Sequence, residues 1–292
     1  MTAAPRERCA ELAEAAGDPG EGTAPPAEHW LLVEHPGPWG RFALRESGID
    51  PVAVAHLGSW AARVNGRIAL VRRVSRRPST RDRPFRWFRV DARPGHERIR
   101  TGEFTGAAEL SRSTSAEGSG WPDPLVLVCV HGRHDTCCAV RGRSLATALA
   151  AEFPEATWEC SHLGGCRFAP SMVVLPHGFT FGGLFPAGAS GLFHRYSKGI
   201  LDPGFLRGRS SHPPIVQAAH HHARAATGAA GIDDLRWTKT TRTGETDWQV
   251  VFAEPDCAVY LREGRIPAGR RLTCASEPVR TIRVFELVDL RY

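Results

Sequence analysis

The stretch LVLVCVHGRHDTCCAVRGRSLATALAAEFPEATWECSHLGGCRFAPSMVVLPHGFTFGGL, residues 125–184, decides the predicted fold. Its first six residues, 125–130, form the continuous apolar run expected of a strand that is buried on both faces. The amphipathic segment 141–154 predicts a helix, and TWEC (157–160) predicts a second strand. A polar loop rich in cysteine and histidine follows each strand, and the second of these loops begins SHLGGC (161–166). Two groups of metal-binding side chains are therefore predicted at the ends of neighbouring strands.

The rest of this region completes an α/β unit. The segments 171–176 and 179–184 flank a His-Gly pair, which predicts a tight turn and a β-hairpin. Residues 190–199 predict a helix after the hairpin. An α/β sheet with an antiparallel hairpin at its edge fits a thioredoxin-like fold.

Outside this region the sequence predicts further α/β and β-rich structure. Strands are predicted at 29–34, 67–74 and 85–91, with a helix over 47–66 that Ser47 begins. The Ser-, Gly- and Pro-rich segment 111–124 predicts a linker. We therefore predict an α/β (α+β) protein. A flexible lead (1–27) precedes an N-terminal α/β domain (28–115), and a thioredoxin-like domain (124–200) is followed by a helix with antiparallel strands (201–292).

The composition limits the class of protein and of partner. Of 292 residues, 42% are hydrophobic and 23% charged, which is typical of a globular protein with a full core. The formal charge of +6 fits an acidic protein partner, while the arginine-rich stretch 72–89 lacks any nucleic-acid fold signature and is interpreted as a strand and a solvated loop. The sequence shows neither an apolar run of membrane-spanning length nor a signal peptide in its first thirty residues, so we expect a cytoplasmic protein.

Clustered cysteines in that compartment indicate metal or redox chemistry rather than disulfides. Eight residues separate Cys129 from Cys138, and three separate His162 from Cys166. Thiolate and imidazole ligands together select zinc or the iron of an iron–sulfur cluster, and this spacing leaves both open. Thiol–disulfide chemistry by Cys137 and Cys138 is a third possibility, although the redox motif of thioredoxins has two residues between its thiols.

Two motifs identify a known family. CVHGRHDTCCAVRG (129–142), followed by SHLGGCRFAPSMVVLPHGFTFGGL (161–184), resembles the sucrase/ferredoxin-like family, and WLLVEHPGPWG (30–40) resembles its N-terminal part. The resemblance extends over nearly the whole chain. It implies a thioredoxin-like ferredoxin domain that carries one [2Fe–2S] cluster.

The resemblance also implies the ligands. Cys129 and Cys138 match the two cysteine ligands of the family, and His162 matches the first of two histidines found in fungal members. Cys166 stands where those members have the second histidine, so we predict a centre with three cysteines and one histidine. A neutral imidazole in place of a thiolate removes negative charge, which predicts a potential on the order of −400 to −150 mV.

The function implied is one-electron exchange with a redox partner protein, either a reductase or an acceptor. We expect no membrane and no nucleic acid among the partners. A structural zinc-binding protein and a thioredoxin-like thiol oxidoreductase are the alternatives. No pair of carboxylates suited to glycoside hydrolysis is evident in the sequence.

Side chains around the ligands are predicted to support them. Gly164 and Gly165 allow backbone amides to approach the cluster sulfurs, while Arg133, Asp135 and Arg167 are expected to form salt bridges that order the loops. Cys137 is an alternative to Cys138 as ligand. The other cysteines and histidines are interpreted as structural. We expect His131 to pack the loop, His134 to be solvated and Cys160 to be a buried thiol. We expect free thiols at Cys9, Cys257 and Cys274, and a solvated helical face formed by His220, His221 and His222.

Overall fold

The structure, a computed structural model, describes residues 7–74 and 83–292. The helices are α1 (Cys9–Ala15), α2 (Ala43–Glu46), α3 (Pro51–Arg63), α4 (Ala107–Arg112), α5 (Thr136–Glu152), α6 (Pro186–Ser197) and α7 (Pro214–Thr227). The strands are β1 (His29–Glu34), β2 (Gly66–Arg73), β3 (Phe85–Asp91), β4 (Arg98–Phe104), β5 (Ser119–Trp121), β6 (Leu125–Cys129), β7 (Thr157–Cys160), β8 (Ser171–Leu175), β9 (Phe179–Gly182), β10 (Leu206–Arg209), β11 (Arg236–Arg242), β12 (Asp247–Ala253), β13 (Cys257–Arg270) and β14 (Val279–Arg291).

The first ten strands form one mixed sheet in the order β10-β9-β8-β6-β7-β2-β1-β3-β4-β5. The β1–β2 and β6–β7 pairs are parallel, and the other pairs are antiparallel. A parallel pair needs a crossover connection, and α3 and α5 provide it. The predicted α/β class is therefore confirmed.

The sheet contains two units with the same strand pattern. The order β2-β1-β3-β4 in the N-terminal half matches the order β7-β6-β8-β9 in the second half, and each unit is a parallel βαβ crossover extended by an antiparallel pair. The units meet where β2 pairs with β7 in antiparallel fashion, with Val71 opposite Cys160. Because equivalent strands pair antiparallel, an approximate two-fold axis passes through this junction. The thioredoxin-like assignment and the domain boundaries stay predictions.

The two faces of the sheet are covered differently. Side chains alternate along each strand, so Val126 and Val128 face a core that includes residues of α3, α5 and α6. Leu127 and Cys129 point to the opposite face, where α1 packs. Most of the cysteines gather on this second face, namely Cys9, Cys129, Cys137, Cys138, Cys160 and Cys166.

The four C-terminal strands form a separate antiparallel sheet in the order β11-β12-β13-β14, and α7 packs against it. The helix and strands predicted for this region are present. The interpretation of a solvated histidine face was wrong for His220, whose ring lies 5.0 Å from that of His212 and 4.4 Å from that of Phe252, measured between centroids. The ring is enclosed because α7 presents it to the sheet.

The structure differs from the sequence prediction mainly at element boundaries. Helix α5 begins at Thr136, five residues earlier than predicted, because the Asp135 carboxylate accepts the Cys137 amide at 2.8 Å and begins the helix. Helix α3 begins at Pro51 because Asp50, rather than Ser47, accepts two amides in its first turn. The short strands β5 and β10 lie where a linker and a loop were predicted.

The described part of the predicted lead, residues 7–27, is packed against the body of the protein. Ala24 and Ala27 are buried, and the Ala27 amide donates to the Ser210 carbonyl at 2.7 Å. Small side chains allow this close backbone approach. Of the arginine-rich stretch, residues 75–82 lie outside the described part of the chain. Within residues 7–74 and 83–292, no helix has the length and apolar character needed to cross a bilayer.

Candidate metal centre

The four ligands predicted from the sequence come together at one end of the second unit; we call Cys129, Cys138, His162 and Cys166 the primary group. Cys129 ends β6, and Cys138 lies in the first turn of α5. His162 follows β7, and Cys166 begins a short 3₁₀ helix. Cys129, Cys138 and His162 have ligand atoms within 4.8 Å of one another, and the Cys166 Sγ lies 3.5 Å from the His162 Nδ1.

Burial and hydrogen bonding give the thiols of the primary group different proton affinities. Each of its three cysteines is 2% exposed. The Cys138 thiol donates to both other sulfurs, which lowers the pKa of Cys129 well below the ordinary value and that of Cys166 to about 3. The same hydrogen bonds raise the pKa of Cys138.

His162 shares protons with these sulfurs. Burial lowers its pKa, but hydrogen bonds to Cys129 and Cys166 outweigh burial and raise it to about 9. A metal requires deprotonated thiols and a neutral imidazole, so metal binding here would release the shared protons. The donor set, three thiols and an imidazole, is the soft and borderline set that zinc and iron–sulfur clusters use.

Two further histidines line the group. His131 is 2% exposed, its Nδ1 accepts the His162 amide at 3.2 Å, and its Nε2 donates to the Gly40 carbonyl at 2.7 Å. It packs the loop, as predicted. His134, which was predicted to be solvated, is half-exposed, and its ring stacks on that of His162 with centroids 3.7 Å apart. The ligand atoms of His134, His162 and Cys166 also lie within 4.8 Å of one another.

The loop before Cys166 is shaped by two glycines and a buried arginine. Gly164 and Gly165 have φ of +100° and +72°, a region that favours glycine. Arg207, 2% exposed, donates to the Gly164 carbonyl at 3.1 Å, and a Cβ at Gly165 would overlap its guanidinium. The glycines therefore make room for Arg207; the approach of their amides to sulfur stays a prediction.

Sequence reasoning missed Arg207 as part of the site because its segment, LRGRSS, was interpreted as a loop with no link to the cysteines. It also missed Arg67, which donates to the Leu163 carbonyl at 3.1 Å. No local pattern marks either residue. Their positions follow from the pairing of β10 and β2 into the sheet.

The three charged residues predicted to order the loops do so to different degrees. Arg167 forms the expected salt bridge, with its Nε 3.2 Å from Asp18 Oδ2. Asp135 does not pair with an arginine in the described residues, because its carboxylate accepts the amides of Cys137 and Cys274 instead. Arg133 is exposed, with no salt bridge in residues 7–74 and 83–292.

A second group of thiols, which the sequence did not predict, lies beside the first. It consists of Cys9, Cys137, Cys274 and Asp135, whose ligand atoms all lie within 4.8 Å of one another. The cysteines come from α1, from the first turn of α5 and from the segment after β13. Cys9 and Cys274 are free thiols, as predicted, but their sulfurs lie close to each other and to that of Cys137. Cys160 is buried as predicted.

The model of the sucrase/ferredoxin-like family matches residues 21–208, which contain the whole primary group. Cys9 and Cys274 of the second group lie outside the matched residues. Comparison with curated proteins and with solved structures found no match.

Proposed function

Because this chain belongs to the sucrase/ferredoxin-like family, we propose that it is an electron-transfer protein whose primary group binds one [2Fe–2S] cluster. The observation that carries the proposal is the convergence of three buried thiols and one half-buried imidazole at the ends of β6 and β7. This is the ligand set that the sequence predicts. When bound, the cluster would supply reversible one-electron redox chemistry.

The ligand atoms of the primary group form a compact set. Those of Cys129, Cys138 and His162 lie within 4.8 Å of one another, and Cys166 lies within the same distance of His162 and of Cys138. The ligands come in two pairs along the chain, so in the proposed cluster Cys129 and Cys138 would bind one iron while His162 and Cys166 bind the other.

The surroundings suit a cluster that gains negative charge on reduction. The guanidinium groups of Arg67 and Arg207 lie behind the loop that carries His162 and Cys166, through their contacts with the carbonyls of Leu163 and Gly164. Positive charge near a cluster stabilises its reduced form, which raises the potential. These arginines would therefore raise the reduction potential, as the histidine ligand does.

Electron exchange would take place at the His162 side. The three cysteines are buried, whereas His162 and the stacked His134 are half-exposed. The His134 Nδ1 lies 3.4 Å from the carbonyl of Arg41, and Arg41 and Phe42 are exposed beside it. An exposed aromatic ring with a neighbouring arginine is a surface that an acidic partner protein can contact.

Iron and acid-labile sulfide analysis of protein purified without oxygen tests the proposal. Two irons and two sulfides per chain are expected, with visible absorbance that bleaches on one-electron reduction. Cys129→Ala should abolish the iron, whereas Cys160→Ala, which removes a buried thiol outside both groups, should retain it. A colourless protein whose primary group contains only zinc would contradict the proposal.

A further inference from the structure

We propose that the second group, formed by Cys9, Cys137, Cys274 and Asp135, is a structural zinc site distinct from the primary group. The inference does not depend on what the primary group binds.

The three sulfurs of the second group form a nearly equilateral triangle. The Sγ atoms of Cys9 and Cys137 are 3.7 Å apart, those of Cys137 and Cys274 are 3.4 Å apart, and those of Cys274 and Cys9 are 3.6 Å apart. With Zn–S bonds of about 2.3 Å, a tetrahedral site places its sulfurs about 3.8 Å apart. The observed spacing therefore fits one ion.

Asp135 provides the fourth ligand atom and is held in place for it. Its Oδ2 lies 3.5 Å from the Cys9 Sγ. The Cys137 amide donates to Oδ1 at 2.8 Å and the Cys274 amide donates to Oδ2 at 2.7 Å. Such hydrogen bonds to a ligating carboxylate fix its orientation, as they do in protein metal sites. The carboxylate is also 2% exposed.

A disulfide explains the arrangement less well. It would join two sulfurs at about 2.05 Å and leave the third thiol beside a buried carboxylate. All three sulfurs are instead at similar distances from one another, and the carboxylate completes the set. Four protein ligands and no open position are the mark of structural rather than catalytic zinc.

The site would connect parts of the chain that are remote in sequence. Cys9 and Cys274 are 265 positions apart, and Cys137 joins both to the beginning of α5. A metal that closes such long loops restricts the unfolded chain strongly. Because Cys138 follows Cys137 directly, zinc here would also hold one ligand of the primary group in position.

X-ray absorption at the zinc edge of the whole wild-type protein is the decisive test. The expected result is one zinc per chain with three sulfurs at about 2.3 Å and one oxygen at about 2.0–2.2 Å. A single zinc per chain with a histidine nitrogen among its ligands would place the ion in the primary group and overturn the proposal. So would the absence of zinc from protein titrated with zinc under reducing conditions.

Variants locate the ion independently of its spectrum. Cys9→Ala and Cys274→Ala should each remove most of the zinc, while the matched control Cys257→Ala, a buried thiol in the C-terminal sheet, should keep it. Cys129→Ala removes a ligand of the primary group and should retain the zinc of the second group. Failure of the iron–sulfur proposal is therefore distinguishable from failure of the zinc proposal. Retention of zinc in both Cys9→Ala and Cys274→Ala, or a disulfide found by mass spectrometry of the protein as isolated, would overturn the proposal.

Discussion

The thiols of Cys137 and Cys138 are adjacent in sequence but belong to different groups. The Cys137 Sγ lies 3.4 Å from the Cys274 Sγ, whereas the Cys138 Sγ lies with Cys129 and His162. Both residues are in the first turn of α5, where successive side chains point about 100° apart. The first turn of α5 therefore directs one thiol into each group and connects the two groups through adjacent residues.

This divergence predicts opposite metal losses for neighbouring substitutions. Cys138→Ala should abolish the iron content while leaving the zinc, and Cys137→Ala should remove most of the zinc while leaving the iron. Metal analysis of the two purified variants checks this. Loss of iron from Cys137→Ala together with its retention in Cys138→Ala would show that the two ligands have been assigned the wrong way round.

The reduction potential of the proposed [2Fe–2S] cluster should follow the charge of its ligands. His162→Cys adds a negative thiolate and should lower the reduction potential towards about −400 mV, the value of plant-type ferredoxins. Cys166→His removes one and should raise it above that of the wild type. Voltammetry of both variants measures the shift, with unchanged iron content as the control. A shift of the same sign in both variants would be incompatible with this ligand set.

Gly165→Ala should destabilise the protein by roughly 1–3 kcal/mol. The residue has φ of +72°, and the new methyl group would overlap the Arg207 guanidinium, which cannot move freely because it donates to the carbonyls of Gly164 and Thr23. Denaturant unfolding measures the change.

Gly58→Ala is the control for that substitution. Gly58 lies in α3 with nothing within 4 Å of an added Cβ, so alanine should stabilise the protein by roughly 0.5–1 kcal/mol. Equal effects of the two substitutions would argue that Gly165 tolerates a side chain.

Acid should destabilise the protein partly through His212. Burial, assisted by Arg209, lowers the pKa of His212 from 6.5 to about 3. Below pH 6.5 the unfolded chain therefore binds a proton that the folded chain does not bind, so the contribution of His212 to stability is complete above pH 6.5 and is lost progressively as the pH falls towards 3. The loss is about 1.4 kcal/mol per pH unit.

His212→Phe should flatten this dependence. The free energy of unfolding, measured by denaturant between pH 6.5 and pH 4, should fall less steeply in the variant than in the wild type. His96→Gln, at an exposed histidine, should leave the slope unchanged. Identical slopes for His212→Phe and the wild type would remove His212 as a cause of acid sensitivity.

Much of the fold could be predicted because its elements carry local signals. The buried run of β6 and the hairpin of β8 and β9 follow from hydrophobic pattern and a His-Gly turn. The beginning of α5 was missed, although Asp135 is a residue type that caps helices. The short edge strand β10 was missed because its residues LRGR have no strand pattern and are held by pairing with β9.

The sequence by itself determined the primary group, because each pair of its ligands lies in one continuous motif and the strands that carry them are neighbours in the chain. Only the tertiary structure decided the second group and the placement of Arg207. Cys9 and Cys274 are 265 residues apart and lie near opposite ends of the chain. No local pattern relates such positions, since their meeting depends on how α1 and the segment after β13 pack against the first turn of α5.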